Sequence, residues 1–308
     1  MSILYIILGA VVVLWGADRL TDGATALAQR MKIPQIVIGL TVVAMGTSMP
    51  EFFVSLMSAL HGTSDLAVGN IVGSNIFNTM AIVGITAMVA PMTISRNTVR
   101  KDIPFAVLAS ALLLMMCYNL EISRWEAAVL FVVFVIFMVY TVRMGMKNGD
   151  EQAIEQPPMA LWKAVGLLIL GLLCLVGGSD LFVNGAKSVA KMLGVSDAVI
   201  GLTVVACGTS LPELATSIVA ARKGQSAIAI GNVIVSNVFN ILMILGITGM
   251  VLPMNIQGIT TVDLTVMMGS IVLVWLFSYT KYTVERWEGA LLTAGFVGYM
   301  TWLVVQAV

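Results

Sequence analysis

The chain has 308 residues, of which 59% are hydrophobic and only 10% are charged, and its mean hydropathy is +1.00. A soluble protein needs roughly a quarter of its residues charged. This composition therefore excludes a soluble protein and indicates one that crosses a membrane several times. The formal net charge of zero favours neither nucleic acid nor an anionic lipid surface as a partner.

Apolar runs separated by short polar connections predict an all-α membrane protein with ten transmembrane helices. A span needs about 20 residues to cross the hydrocarbon core, and spans of that length fit the chain in two sets of five. The first set covers residues 3–29, 35–60, 66–90, 103–119 and 125–145, and the second covers 161–190, 197–221, 226–251, 263–280 and 287–307.

The two sets are copies of each other. Residues 39–51 read Gly-Leu-Thr-Val-Val-Ala-Met-Gly-Thr-Ser-Met-Pro-Glu and return 162 positions later, at 201–213, with only two changes. Because each copy has five spans, an odd number, the second copy must enter the membrane from the opposite side. Such inverted repeats, with a site near the midplane, are typical of secondary transporters. We predict repeats at 1–145 and 161–308, joined by a polar linker at 146–160.

Basic residues predict the orientation of the spans. Lys and Arg concentrate in the connections after spans one, three, five, seven and nine. Cytoplasmic connections carry such an excess, so we expect these connections and the linker in the cytoplasm and both termini outside. The expected location is the plasma or inner membrane of the cell.

Glu51 and Glu213 end the two copies of the motif, each inside an apolar span. Placing a carboxylate in a bilayer costs from about 3 to more than 10 kcal/mol, so an intramembrane acid is a functional candidate by default. A bound cation would remove this cost. The spacing of Ser48 and Glu51 also fits a helix-capping box, with Pro50 in the first turn, and this purely structural interpretation stays open.

Further oxygen atoms near the acids could complete a cation site. The motif breaks its helix and exposes backbone carbonyls around Ala44 and Ala206, where a half-helix ends with partial negative charge. The hydroxyl groups of the motif are those of Thr47, Ser48, Thr209 and Ser210. Polar residues four apart form one stripe on the next helix of each half, which either binds ions or only joins helices. The stripes are Asn70, Ser74 and Asn78, and Asn232, Ser236 and Asn240.

These candidate ligands are carboxylate, hydroxyl, amide and carbonyl oxygens, a set that favours a hard cation. Calcium accepts a flexible oxygen cage, whereas magnesium demands octahedral geometry and gives up water reluctantly. Two carboxylates balance one calcium ion or two sodium ions. A third sodium ion would leave one net positive charge, so exchange would then be driven by voltage, at about 2.3 kcal/mol per charge per 100 mV.

The paired Gly-Thr-Ser-x-Pro-Glu and Gly-Asn-x-x-x-Ser-Asn motifs resemble those of the sodium/calcium exchanger family of cation/calcium antiporters, in its compact prokaryotic-type form. The resemblance covers nearly the whole chain. It implies that spans two, three, seven and eight hold the ions, that spans one and six form a sliding gate, and that sodium is exchanged for calcium by alternating access. The ligands that it implies are Ala44, Thr47, Ser48, Glu51, Ser74, Asn78, Ala206, Thr209, Ser210, Glu213, Ser236 and Asn240.

Two positions qualify this resemblance. Some family members have Asp where this chain has Asn240, and in the potassium-dependent branch an Asp there is linked to potassium. Asn at both Asn78 and Asn240 therefore indicates potassium-independent exchange. Val235 stands where the first copy has Gly73, so we expect the eighth span to pack less closely than the third.

Other functions remain as alternatives. A glutamate desolvated without its metal could take up a proton, which would make the protein a proton-coupled calcium exchanger. Two intramembrane acids could form a protease dyad, although the hydroxyl and amide groups around them do not suit one. A passive channel would need a continuous pore. We expect no enzyme activity, no cofactor and no obligate protein partner besides the lipid bilayer and the transported ions.

Two more acids, Asp18 and Asp180, lie deep in the first and sixth spans. Intramembrane acids are usually paired, so we predict a packing or gating role for them ahead of ion ligation. Asp18 has Arg19 beside it, but adjacent residues on a helix do not face each other. We therefore expect both acids to find their partners in the core.

Overall fold

The computed structural model describes residues 2–31, 35–38, 41, 43–147, 159–192, 206–256 and 258–307. Most of the predicted linker at 146–160 lies outside the described residues. So do Gly39 and Gly201, where the repeated motifs begin, and the start of the predicted span at 197–221.

Helices make up nearly all of the described chain. They are α1 (Ser2–Met31), α2 (Gln35–Ile38), α3 (Ala44–Thr47), α4 (Met49–Leu60), α5 (Ser64–Val89), α6 (Ile103–Met116), α7 (Arg124–Lys147), α8 (Leu161–Met192), α9 (Ala206–Thr209), α10 (Leu211–Arg222), α11 (Ser226–Val251), α12 (Thr261–Lys281) and α13 (Arg286–Ala307). Within the described ranges, seven helices are long and apolar enough to cross a membrane, namely α1, α5, α7, α8, α11, α12 and α13.

Within the predicted span at 35–60 the described residues include the helical segments α2, α3 and α4. Ser48 forms the turn between α3 and α4, with φ −84° and ψ 8°. Pro50, in the first turn of α4, cannot donate a backbone hydrogen bond, so it is accepted at a helix start but disrupts a helix interior. The second half has the same arrangement, because Ser210 separates α9 from α10, which begins with Leu211 and Pro212.

The predicted span at 103–119 also differs from a single α-helix. A π-helical segment, Thr98–Asp102, leads into α6, and α6 ends at Met116 in a 3-10 turn, Cys117–Asn119. The next residue, Leu120, has a positive φ of 62°. This backbone conformation cannot continue a right-handed helix, so the helical stretch ends at Asn119, the predicted boundary.

Four two-residue strands were not predicted. β1 (Met92–Thr93) pairs with β4 (Thr283–Val284), and β2 (Glu121–Ile122) pairs with β3 (Met254–Asn255), both antiparallel. Each strand lies next to a helix end, where backbone groups lose their helical partners and need others. Both pairs join a strand of the first half to a strand of the second half.

Helices α5 and α11 form the centre of the molecule. In an apolar 18-residue stretch of each, 83% and 94% of the residues are buried inside the protein. In the equivalent stretches of α1, α7 and α8 only 24% to 28% of the residues are buried. Each central helix contains one π-helical turn, Phe77–Ile82 in α5 and Phe239–Ile244 in α11. These turns frequently occur at functional sites.

The predicted looser packing of α11 is wrong. Val235 is fully buried, whereas Gly73, its counterpart in α5, lines a cavity of about 160 Å³. The isopropyl group of valine fills space that glycine leaves empty. The two halves are thus packed differently at this point, and the first half has the gap.

Helices α1 and α8 pack closely on each other and form an apolar cluster separate from the main core. Their contact is lined by glycines seven residues apart. A Cβ atom at Gly171 would lie 2.6 Å from the backbone nitrogen of Leu20, and one at Gly9 would lie 2.7 Å from the carbonyl oxygen of Gly178. Such small residues let two helix backbones approach each other.

Candidate cation site

Glu51 and Glu213 occupy equivalent places, in the first turns of α4 and α10. Both side chains are only 1% exposed. The positive end of each helix dipole lies beside its carboxylate and stabilises it. The two helix starts therefore bring two carboxylates into the protein interior.

Each glutamate is hydrogen-bonded to a serine of the other half. Ser48 Oγ lies 2.9 Å from Glu213 Oε1 and 3.0 Å from Ser236 Oγ, while Ser210 Oγ donates to Glu51 Oε1 at 2.8 Å. Neither serine side chain caps the helix that follows it. The capping-box interpretation of Ser48 and Glu51 is therefore wrong, because the hydroxyl is used by the opposite glutamate.

Amide side chains brace the helix starts that carry the acids. Asn70 Nδ2 donates to the backbone oxygen of Glu51 at 3.3 Å and to Ser55 Oγ at 3.0 Å. In the second half Asn232 Nδ2 donates to the backbone oxygen of Glu213 at 3.3 Å and to Ser217 Oγ at 3.2 Å. These contacts hold the backbone of each glutamate against the central helix of its own half.

The threonine and alanine positions lie in the short helices that precede the turns. Thr47 Oγ1 donates to Asn232 Oδ1 at 3.1 Å and lies 3.3 Å from the carbonyl oxygen of Ala44. That carbonyl also accepts the amide of Ser48 at 3.1 Å, so a cation there would share it with protein donors. In the second half Ala206 and Thr209 are the first and last residues of α9.

Asn78 and Asn240 lie in the two π-helical turns and are each 1% exposed. Asn78 Nδ2 donates to Asn237 Oδ1 at 3.1 Å, and Asn240 Nδ2 donates to Asn75 Oδ1 at 3.3 Å. Helix α10 packs against the turn that holds Asn78, and α4 packs against the turn that holds Asn240. The amides of each central helix are thus tied to the other half.

Several buried oxygen atoms of these residues have no hydrogen-bond partner in the part of the chain that the structure describes. A buried polar atom without a partner costs about 1–3 kcal/mol, and more if it is charged. A cation among these oxygens would remove that cost, so the donor set fits a hard cation. The atoms are Oε2 of Glu51 and Glu213, Oγ of Ser74, and Oδ1 of Asn70, Asn78 and Asn240.

A comparison with protein families decides the identity. The model described as "Sodium/calcium exchanger protein" matches residues 1–143 and 163–305. The chain belongs to the sodium/calcium exchanger family. The resemblance seen in the paired motifs is confirmed, and the protein is an integral membrane protein of a family of antiporters, not of enzymes.

Relatives in this family match almost the full length. The chain is 38% identical over 307 residues to the putative antiporter CaxA of Alkalimonas amylolytica, covering 96% of each chain. It is 31% identical over 340 residues to the sodium/calcium exchanger MaX1 of Methanosarcina acetivorans, covering 97% of each. The solved structure of the sodium-calcium exchanger NCX_Mj, soaked with sodium and calcium ions, superposes with a TM-score of 0.86 at 31% identity and 97% coverage of each chain.

Some contacts of the exchanger site were missed by sequence reasoning. Ser55 and Ser217 received no role, and neither did Asn75 and Asn237. All four recur at the same offset in both halves, which was the available signal. It did not reveal that Ser55 and Ser217 bond within their own half, whereas Asn75 and Asn237 bond to the other half.

Asp18 of the exchanger is held by charges on both sides. Its Oδ1 lies 2.6 Å from Lys223 Nζ, at the end of α10, and its Oδ2 lies 2.9 Å from Arg19 Nη2. Asp18 has a partner at the end of another helix, but the side chains of Lys223 and Asp18 are 27% and 34% exposed, so this ion pair does not lie in the core as expected. The expectation that Arg19 stays apart is also wrong, because its long side chain curls back to its neighbour. Asp180 is exposed and accepts a hydrogen bond from Asn184 of its own helix at 3.1 Å, so the contact described for it is not in the core.

Proposed function

We propose that this exchanger transports sodium and calcium ions in opposite directions by alternating access, with both ions competing for Glu51 and Glu213. The observation that carries the proposal is the pair of buried carboxylates, each joined to a serine of the opposite half and each with one oxygen unpartnered among the described residues. The proposed ligands are Ala44, Thr47, Ser48, Glu51, Ser74, Asn78, Ala206, Thr209, Ser210, Glu213, Ser236 and Asn240.

The proposed architecture has ten spans in two inverted repeats, 1–145 and 161–308, with the polar linker at 146–160 in the cytoplasm. Spans two and seven are broken at Ser48 and Ser210. The twofold recurrence of helix starts, π-helical turns and cross-half hydrogen bonds supports this plan. Both termini lie outside the cell, because the basic residues concentrate in the opposite connections.

Competition at shared carboxylates is the proposed coupling. Two carboxylates balance one calcium ion, so a third sodium ion moves net charge and makes exchange electrogenic. With amides at Asn78 and Asn240 the site has no third acid, and we propose that exchange needs no potassium. Calcium suits this flexible set of oxygens.

The proposed gate is the pair of helices α1 and α8. The pair packs in an apolar cluster separate from the main core, and the close glycine-lined contact between the two helices would make them move as a unit. A moving gate differs from a pore because the ions would reach the site from one side at a time.

The test is calcium uptake by proteoliposomes under an imposed sodium gradient. Glu51→Gln and Glu213→Gln should each abolish exchange, since each removes a charged ligand at nearly constant volume. Glu285→Gln, a control with the same charge change at a residue that binds Lys281 on the surface, should exchange normally.

Other outcomes would identify another function. Uptake driven by a pH gradient and indifferent to sodium would indicate a proton-coupled calcium exchanger. Downhill calcium flux without a counter-ion would indicate a channel. Normal exchange by either glutamine variant would refute the shared site.

A further inference from the structure

Asn75 and Asn237 are buried amides, 2% and 3% exposed, that the proposed ion site does not use as ligands. Each accepts a hydrogen bond from a ligand amide of the opposite half, Asn75 from Asn240 and Asn237 from Asn78. We propose that Asn75 and Asn237 are positioning residues that turn the oxygen atoms of Asn240 and Asn78 toward the cation. This inference rests on the proposed function.

Orientation matters because a carboxamide has two different ends. Its oxygen accepts and attracts a cation, whereas its NH₂ group donates and repels one, and the two ends have nearly the same shape. A carboxylate presents oxygen at both ends. A site that uses Asn240 in place of an acid therefore needs a group behind the amide that selects one orientation.

Asn75 supplies that selection through its own oxygen. Asn75 Oδ1 faces Asn240 at 3.3 Å, so a half-turn of the Asn240 amide would place two acceptor oxygens against each other. The turn would exchange a hydrogen bond for a repulsive contact in a buried place where no solvent compensates. The oxygen of Asn240, which has no partner among the described residues, is thereby left for the ion.

Met267 sets the orientation of Asn75 in turn. The Nδ2 atom of Asn75 lies 3.9 Å from the sulfur of Met267, and a thioether can accept a hydrogen bond but not donate one. The sequence of contacts runs from Met267 through Asn75 to Asn240. The residue 162 positions before Met267 is Phe105, which stacks on Phe137 and has no such acceptor atom, so Asn237 lacks this support.

A double-mutant cycle tests the inference in proteoliposomes, with the apparent KM for calcium measured at a fixed sodium gradient. Asn75→Leu removes the acceptor and keeps the branching of the side chain, and it should raise the KM about tenfold, the effect of losing one hydrogen bond. In the Asn240→Asp background the same substitution should raise it less than about twofold, because a carboxylate has no wrong orientation. Thermal unfolding of all four proteins checks that they are folded.

An equal rise of KM in both backgrounds would overturn the inference, since it would mean that Asn75 only packs. An unchanged KM for Asn75→Leu would overturn it as well. If the Asn75→Leu protein does not fold, Asn237→Leu with Asn78→Asp provides the corresponding cycle in the other half, with a smaller expected rise of KM because Asn237 has no counterpart of the Met267 contact among the described residues. Failure of the wild-type protein to exchange calcium for sodium would instead overturn the proposed function, and this inference with it.

Discussion

The hydroxyl of Ser48 lies 2.9 Å from the carboxylate of Glu213, a residue of the other half of the chain. In the equivalent contact Ser210 Oγ donates to Glu51 Oε1 at 2.8 Å. Each half thus supplies a hydroxyl group to the acid of its counterpart. Neither half holds its carboxylate alone, and a cation bound at either glutamate would contact atoms that both halves position.

Ser48→Ala and Ser210→Ala should each raise the apparent KM for calcium about tenfold, because a hydrogen bond to a charged group contributes about 1.5–3 kcal/mol. Ser48→Ala should have the larger effect, since Ser48 Oγ also bonds to Ser236 Oγ, whereas Ser74, the counterpart of Ser236, has no partner for its hydroxyl among the described residues. Ser110→Ala is the matched control, because Ser110 is buried and, among the described residues, its hydroxyl bonds to the carbonyl of Ala106 on its own helix and to no other group. Sodium-driven calcium uptake provides the measurement, and a wild-type KM for both site variants would contradict the cross-half contact.

Asn240→Asp should change the ion preference of the site. A third carboxylate adds one negative charge among buried oxygens, so the half-saturation concentration for sodium or calcium should shift by about tenfold, the effect of 1.4 kcal/mol. Asn255→Asp is the control, because it adds the same charge on the short strand β3. The dependence of flux on sodium, calcium and potassium is measured for both. If that dependence is unchanged, Asn240 is not a ligand.

Lys223→Met should loosen the contact between α1 and α10. Lys223 binds Asp18 at 2.6 Å and Asp22 at 2.7 Å, but all three side chains are partly exposed, so their attraction is screened and contributes about 1 kcal/mol or less. We expect amide hydrogens near the end of α10 to exchange about two to five times faster. Lys281→Met, which removes an ion pair with Glu285, should leave them unchanged. Equal rates of amide hydrogen exchange in the two variants would show that Lys223 does not hold α1 and α10 together.

Gly171→Ala should destabilise the protein, because its new Cβ atom would lie 2.6 Å from the backbone of Leu20, which cannot yield as a flexible side chain can. We expect a loss of about 1–3 kcal/mol and slower exchange, if α1 and α8 form the gate. Gly177→Ala on the same helix meets nothing within 4 Å. It should be neutral or stabilising by up to about 1 kcal/mol. Thermal unfolding of the two variants tests this, and equal melting temperatures would contradict close packing.

Much of the candidate site could be predicted from the sequence, because a carboxylate inside an apolar span costs free energy and therefore indicates a functional site. The repeat placed Glu51 and Glu213 in equivalent positions, and Pro50 predicted a helix start close to the first of them. The family followed from the same motifs. The ten-span inverted topology and the ligand set remain predictions.

Contacts between the halves could not be predicted in the same way. A stripe with four-residue spacing groups Asn70, Ser74 and Asn78, yet Asn70 braces the start of α4 and Asn78 bonds to Asn237. Such spacing describes one helix and contains no information on which helix faces it. The packing at Gly73 was misjudged for the same reason.

The amino-acid sequence was sufficient for the membrane class, the repeat, the family and the two acids. Composition, repeated motifs and the free-energy cost of a charge in an apolar span can all be read along the chain without knowing which segments touch. Only the folded chain decided that Ser48 bonds to Glu213 and not to its own helix, and that Asn75 lies behind Asn240. Those partners are separated by more than 150 residues, and the packing of α5 against α11 brings them together.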